Sequence, residues 1–211
     1  MAILITSGTK EDDKNRWATS NEAFSDAQCL YGRTFKLDVA AEPETAKVER
    51  FYVGPEWLER YSLFKDSDGI TTGGQWPSSD KKIVGFDALN LDWEQDWWCN
   101  PPFDFKADFI EQALTQTFDN GFSGMMALPH EPLTGWWRSL IEGRANTVYL
   151  PDGRYPFYET DGVTLKRGVN FGTAFVLFTP HMNKETRYIP FEQYFSLPDD
   201  IRTKKRKRRK Y

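Results

Sequence analysis

Apolar residues recur along this chain in two rhythms. In "DFKADFIEQALTQTFDNG" they fall at Phe105, Phe109, Ile110, Ala113, Leu114 and Phe118, a spacing that predicts one apolar helix face of period near 3.6. "RWATSNEAFSDAQCLYG" predicts a second helix, capped by Thr19 or Ser20; Ala23 stands where a capping box would place Glu, so the box is incomplete. "TGWWRSLIEG" predicts a third, short one. The strand rhythm appears at Thr34–Val39, in "GFSGMMALP" ending at Pro129, in "ANTVYLP" and in "VNFGTAFVLFTP", while "EPETAKVERFYV" reads as a short helix running into a strand. Strands alternating with helices predict an α/β fold with a mostly parallel sheet. Between them Gly54–Lys82 is polar, holds Gly73, Gly74 and Pro77, and reads as a long loop or insertion.

Length and charge refine that picture. With 211 residues the chain suits one domain, expected at 15–195, after a flexible segment 1–14 and before a basic tail 196–211. The tail holds Lys204, Lys205, Arg206, Lys207, Arg208, Arg209 and Lys210, yet the net formal charge is −4, so an acidic body carries a cationic end. Such a run suits nucleic-acid phosphates, where it releases counterions, and it also suits a solvated terminus or a nuclear-import signal. The 8 Trp in a 16% aromatic share point to core packing, with some in loop-like contexts that suggest a stacking surface. Cys29 and Cys99 are far apart and the only His are His130 and His181, which argues against a disulfide framework or a metal site. Without a signal peptide or an apolar run of about 18 residues, a soluble cytoplasmic protein with no membrane contact is expected, monomeric or weakly dimeric.

The candidate chemistry lies in "WWCNPPFDF", Trp97–Phe105. Two adjacent prolines remove two backbone donors and hold the preceding residues extended. Asn100 and Pro101 are thereby fixed before any substrate arrives. The Asn100 side-chain oxygen and the Pro101 carbonyl can each accept from one hydrogen of an exocyclic amine, which localises the nitrogen lone pair and makes it a better nucleophile. Phe103 offers a flat face for a base, worth about 1–3 kcal/mol of stacking. A base inside a duplex must be flipped out to reach such a pocket. The bland alternative is an ordinary Pro-Pro turn beside a buried Phe.

The order of motifs resembles the phage-type N6-adenine DNA methyltransferase family, the Dam-like group of phages and prophages. "WATSNEAF" (Trp17–Phe24) resembles its opening segment, with Ser20 in place of the usual proline. "LDVAA" (Leu37–Ala41), "DALNLDW" (Asp87–Trp93), "CNPPF" (Cys99–Phe103), "ALPHEPLTGWW", "LPDGRYPF" and "GTAFVLF" follow in order. Phe103 replaces the more frequent Tyr, and Gly54–Lys82 is longer than the family pattern.

The resemblance implies a Rossmann-like fold dependent on S-adenosylmethionine, with helices on both faces of the sheet and double-stranded DNA as partner. By position it implies Asn100, Pro101, Pro102 and Phe103 as the catalytic motif. It places Trp17, Thr19, Asp38, Ala40, Asp87 and Leu89 around the cofactor, with no metal. Asp38 and Asp87 are equally readable as loop or turn caps, Trp17 as core, and Arg154 as a partner for a phosphate or a carboxylate. Asn100 suits adenine or a protein glutamine; cytosine N4, an RNA base and an inactive decoy protein, for example against a host defence, stay open. Base recognition is expected from Gly54–Gln75 and Pro129–Arg144.

Overall fold

The computed structural model describes residues 15–57, 63–66, 69–72, 81–151, 153–166, 169, 171–181 and 184–189. Along them run β1 (Ala18–Thr19), α1 (Asn21–Tyr31), β2 (Leu37–Asp38), β3 (Arg50–Val53), β4 (Leu63–Asp66), β5 (Gly69–Thr72), β6 (Lys82–Phe86) and β7 (Trp97–Cys99). Then come α2 (Lys106–Phe118), β8 (Gly124–Pro129), α3 (Gly135–Leu140), β9 (Thr147–Pro151), β10 (Phe157–Tyr158), β11 (Thr173–Phe178) and β12 (Glu185–Ile189).

Local chemistry sets the ends of α1. Ser20 is extended (φ −67°, ψ 156°) and its Oγ accepts from the Ala23 N–H at 3.2 Å, satisfying one donor that a helix start leaves open. Gly32 closes the helix at φ 75°, where its N–H donates to Gln28 O and a side chain would be strained. The helix therefore starts at Asn21, and of the two expected caps, Thr19 and Ser20, it is Ser20 that serves. Ala18–Thr19 pairs instead with β10, in antiparallel register Ala18↔Tyr158 and Thr19↔Phe157.

Eight strands form one sheet in the order β12-β9-β11-β8-β7-β2-β3-β6. β11 runs antiparallel to both its neighbours, and the other pairings are parallel. The mixed α/β fold with a mostly parallel sheet is the one expected. Side chains alternate strictly across it. Trp97, Cys99, Met126, Leu128, Ala174 and Val176 join one core with α2 and α3, whereas Trp98, Met125, Ala127 and Phe175 join a second with α1. Helices thus cover both faces, and the central strands β7, β8 and β11 are buried on both, as a mostly parallel sheet requires.

Some expectations are corrected. Residues 42–47 form turns, not a helix: Thr45 and Ala46 both donate to Glu42 O. Gly54–Lys82 contributes β4 and β5, a separate antiparallel pair, and Lys82 already opens β6. On α2, Phe109, Ile110, Ala113 and Leu114 are buried, but Phe105 lies in a 3₁₀ turn before the helix and Phe118 in its last residue, and both are half exposed. Trp57, Trp93, Trp97, Trp98 and Trp137 are core residues and present no stacking surface.

One close approach bears on the whole sheet. Gly124 of β8 pairs with Trp97 of β7, and a Cβ on it would meet Trp97 Cδ2 at 2.0 Å and the Trp97 carbonyl oxygen at 2.4 Å. Gly124→Ala is expected to destabilise the fold by about 1–3 kcal/mol through overpacking. Gly135→Ala, with nothing within 4 Å of the added carbon, should be neutral or slightly stabilising. Urea unfolding of both variants beside the wild type checks this.

Candidate active site

The chain runs from β2 outward through β3 to β6, then returns to lay β7 on the other side of β2. Strand order reverses there, and the crevice beyond the carboxyl ends of strands at such a reversal is where open α/β sheets bind ligands. Two of the sequence motifs end at that point. "LDVAA" continues β2, and "CNPPF" continues β7. With Leu37 opposite Trp97 and Asp38 opposite Trp98, and the Val39 N–H bonded to Trp98 O at 3.0 Å, the register carries Ala40 alongside Asn100.

A cavity of about 570 Å³ opens at this point, lined by Trp17, Thr19, Asp38, Ala40, Asp87, Leu89, Asn100 and Pro102 among others. All the residues expected around cofactor and target therefore line this one cavity except Pro101, which is buried, and Phe103, which is half-buried outside the lining.

Asn100 is the best defined of them. Its Nδ2 donates to the Trp17 carbonyl oxygen at 2.9 Å. A carbonyl only accepts, so the bond fixes which end of the amide faces Trp17 and leaves Oδ1 as an acceptor on the other side. Pro102 (φ −54°, ψ 136°) then leads the backbone away from the strand into the 3₁₀ turn Phe103–Phe105. Trp17 itself is buried against Phe103 (ring centroids 5.1 Å, T-shaped), Phe157 (6.3 Å) and Phe171 (6.4 Å, parallel). The Lys166 Nζ lies 5.1 Å from the Trp17 ring centroid and 3.2 Å from Glu159 Oε1, a cation held over an aromatic face.

Asp38 is 2% exposed. Its Oδ2 accepts from the Lys47 N–H at 3.0 Å and its Oδ1 from the Ala40 N–H at 3.4 Å. It therefore organises the loop after β2, as the loop-cap reading expects, and it also lines the cavity. Burial pushes its carboxyl up to about 6, against the pull of these hydrogen bonds and of the Lys47 and Lys81 charges. Asp87 sits in the left-handed region at φ 58°. Its N–H bonds Val53 O at 2.9 Å and its carboxylate accepts from Asn90 Nδ2, so it opens the 3₁₀ turn Ala88–Asn90 on the cavity rim.

Other wall residues escaped the sequence reading. Arg16 and Glu42 form an ion pair across the cavity mouth, and their only signal is adjacency to Trp17 and to "LDVAA". Val53, Glu56 and Trp57 line it too, although Glu56 and Trp57 belong to the stretch read as an insertion. Two buried polar atoms on the wall, Trp17 Nε1 and Thr19 Oγ1, find no hydrogen-bond partner among the described residues. Each is a buried polar group left without a bond, a cost that few native groups carry. Arg154 is exposed, and Lys204–Lys210 lie outside the described residues. Among the described residues no group of three or more His, Cys, Asp or Glu is placed to hold a metal ion, and no helix is long and apolar enough to cross a membrane.

Comparison with known proteins adds to this geometry. Residues 83–206, more than half of the chain, match the family model described as DNA N-6-adenine-methyltransferase (Dam). That range includes Asp87, Leu89 and the Asn-Pro-Pro-Phe motif. The chain is also 24% identical over 179 residues to the DNA N-6-adenine-methyltransferase of Haemophilus phage HP1 (strain HP1c1), covering 84% of this chain and 86% of the phage protein. The family model covers well over half of the chain, and this chain belongs to the DNA N-6-adenine-methyltransferase (Dam) family.

Proposed function

We propose that this chain transfers a methyl group from S-adenosylmethionine to the N6 amino group of an adenine extruded from duplex DNA, on a Rossmann-like methyltransferase fold. The observation that carries the reading is Asn100, whose amide is pinned by the Trp17 carbonyl on the wall of a ligand-sized cavity at the strand-order reversal.

The residues present fit the cofactor. The cavity lies within the range of about 300–1,000 Å³ usual for small-molecule sites. Val53, Trp57, Ala88 and Leu89 give apolar walls for an adenosine, and Thr19 Oγ1 is a buried polar atom in want of a partner. Asp38 offers a buried carboxylate to a cationic amino-acid end, and Ala40 and Ala41 keep the loop beside it thin. When bound, the cofactor supplies an electrophilic methyl carbon on a sulfonium.

The chain does the rest by placement. Asn100 Oδ1 and the Pro101 carbonyl accept the two hydrogens of the adenine amine and draw its nitrogen toward a pyramidal shape. The prolines keep both acceptors still, so little reorganisation is needed at the moment of transfer. The Phe103 ring stands perpendicular to Trp17 and Phe171, which brace it as a platform for the base. The cationic run Lys204–Lys210 adds sequence-independent phosphate contacts, so that duplex affinity falls steeply with salt. The working form is a monomer or weak dimer in the cytoplasm of a host cell, and protection of phage DNA from restriction is the role such a reaction would serve.

The reading is tested by incubating labelled S-adenosylmethionine with unmethylated duplex DNA and digesting the product to nucleosides. N6-methyladenine is expected as the labelled nucleoside, with Asn100→Ala lowering its formation about 10²-fold or more while cofactor binding persists. Label in N4-methylcytosine, or in no nucleoside, would contradict it.

Asp38 yields a pH dependence. Its folded value of about 6 lies above that of a free carboxyl, so the group is neutral below that pH and becomes an anion above it. Affinity for the cationic cofactor should therefore rise with pH through about 6 and then level off. Asp38→Asn should be weaker at neutral pH and nearly flat across this range. Calorimetric titration of both forms between about pH 5 and pH 8 checks the sign.

A further inference from the structure

Five large apolar side chains are half or more exposed among the described residues, and Leu133 is the most exposed at 84%. An exposed leucine alone means little. The turn that carries this one is unusually well fastened. Thr134 donates to Glu131 O from its N–H at 3.0 Å and from its Oγ1 at 2.7 Å, closing Glu131–Thr134 around Pro132. Proline at the second position fixes φ there. Trp136 Nε1 donates to Glu131 Oε2 at 3.1 Å, Arg138 Nε to Pro132 O at 3.4 Å, and the His130 N–H to Gly172 O at 2.8 Å. The leucine is presented on a rigid tip, and little entropy remains to be lost when it meets a partner.

Its position is equally specific. The turn follows β8, next to β7 in the sheet, at the carboxyl end where the cavity opens. Lys106 bridges the two. Its Nζ donates to the Phe103 carbonyl at 2.8 Å and lies 5.4 Å from the Trp136 ring centroid. Gly172, bonded to His130, follows Phe171, whose ring is 5.4 Å from that of Phe103. The tip therefore stands beside the platform assigned to the target base, with the exposed Arg138 next to it. Val163, the next most exposed at 76%, sits on a turn closed by Asp161 and set against the Glu44 carbonyl, a surrounding that repels phosphates.

Resting on the base-extrusion reading above, we propose that Leu133 enters the DNA base stack at the place the adenine leaves. Extrusion opens a gap flanked by unstacked base faces, and an apolar side chain pushed into the step covers them and slows the return of the base, as apolar wedges do in other DNA-bending proteins. Arg138, bonded to Pro132 O, and Lys106, over the Trp136 ring, supply positive charge near the wedge.

The test compares wild type, Leu133→Ala and Leu133→Met on unmethylated DNA of mixed sequence, native and heat-denatured. Leu133→Ala is expected to lose about tenfold or more of its methylation rate on native DNA. It should keep its rate on denatured DNA, its duplex affinity and its melting temperature. Leu133→Met, still long and apolar, should recover most of the native rate. An alanine variant as fast as wild type on native DNA overturns the wedge, and so does an equal loss on both forms. If the wild type acts on native DNA alone, loss with intact duplex binding upholds the proposal and retention overturns it. A wild type that methylates adenine in neither form overturns the methylation reading itself, and the wedge with it, which separates the two failures.

Discussion

The hydrogen bond from Asn100 Nδ2 to the Trp17 carbonyl, beside the Asn15–Asp104 bonds and the Trp17–Phe103 ring contact, ties together parts of the chain far apart in sequence. One partner follows β7 in the middle of the sheet. The other precedes β1, a two-residue strand whose pairing with β10 brings in the late part of the chain. Trp17 is in turn wedged among Phe103, Phe157 and Phe171, so its carbonyl has little freedom. The orientation of one amide thus depends on three distant segments, and the amide is the group on which the proposed chemistry depends.

The same cavity holds a second constrained group. Asp38 keeps a carboxylate in a place where burial disfavours charge, and two backbone N–H groups only partly offset that cost. Each of its oxygens accepts from one backbone N–H, Oδ1 from Ala40 and Oδ2 from Lys47, a pair that an amide with one acceptor oxygen could not serve. Asp38, Thr19 and Trp17 all line the same cavity. The strand-order reversal explains why these groups converge, since β2 and β7 deliver both motifs to one edge of one crevice.

Much of this was legible in the sequence. The parallel α/β plan follows from alternating strands and helices, and the central strands are continuous apolar runs because both faces are covered. Ser20 and Gly32 mark α1 by capping chemistry, and the paired prolines mark a boundary after a buried strand. What stayed hidden depended on tertiary contact. β1 and β10 are two residues each and stand only because they pair with each other. Arg16, Glu42 and Trp57 join the cavity through loop geometry that no periodicity encodes. The tryptophans look loop-borne in sequence yet fill the core, where Trp93 and Trp97 of β7 meet edge to face in the cluster shared with α2.

The central claim is that Asn100 acts through an amide held at one end and offering an acceptor at the other. Asn100→Asp tests it most directly, because it keeps an acceptor facing the cavity and removes the donor that Trp17 requires. The measurement is the single-turnover rate of methyl transfer to duplex DNA with cofactor saturating. The account predicts a fall of about two orders of magnitude, since a carboxylate is repelled by the Trp17 carbonyl and its acceptor is no longer fixed. A variant that transfers methyl at the wild-type rate would contradict it.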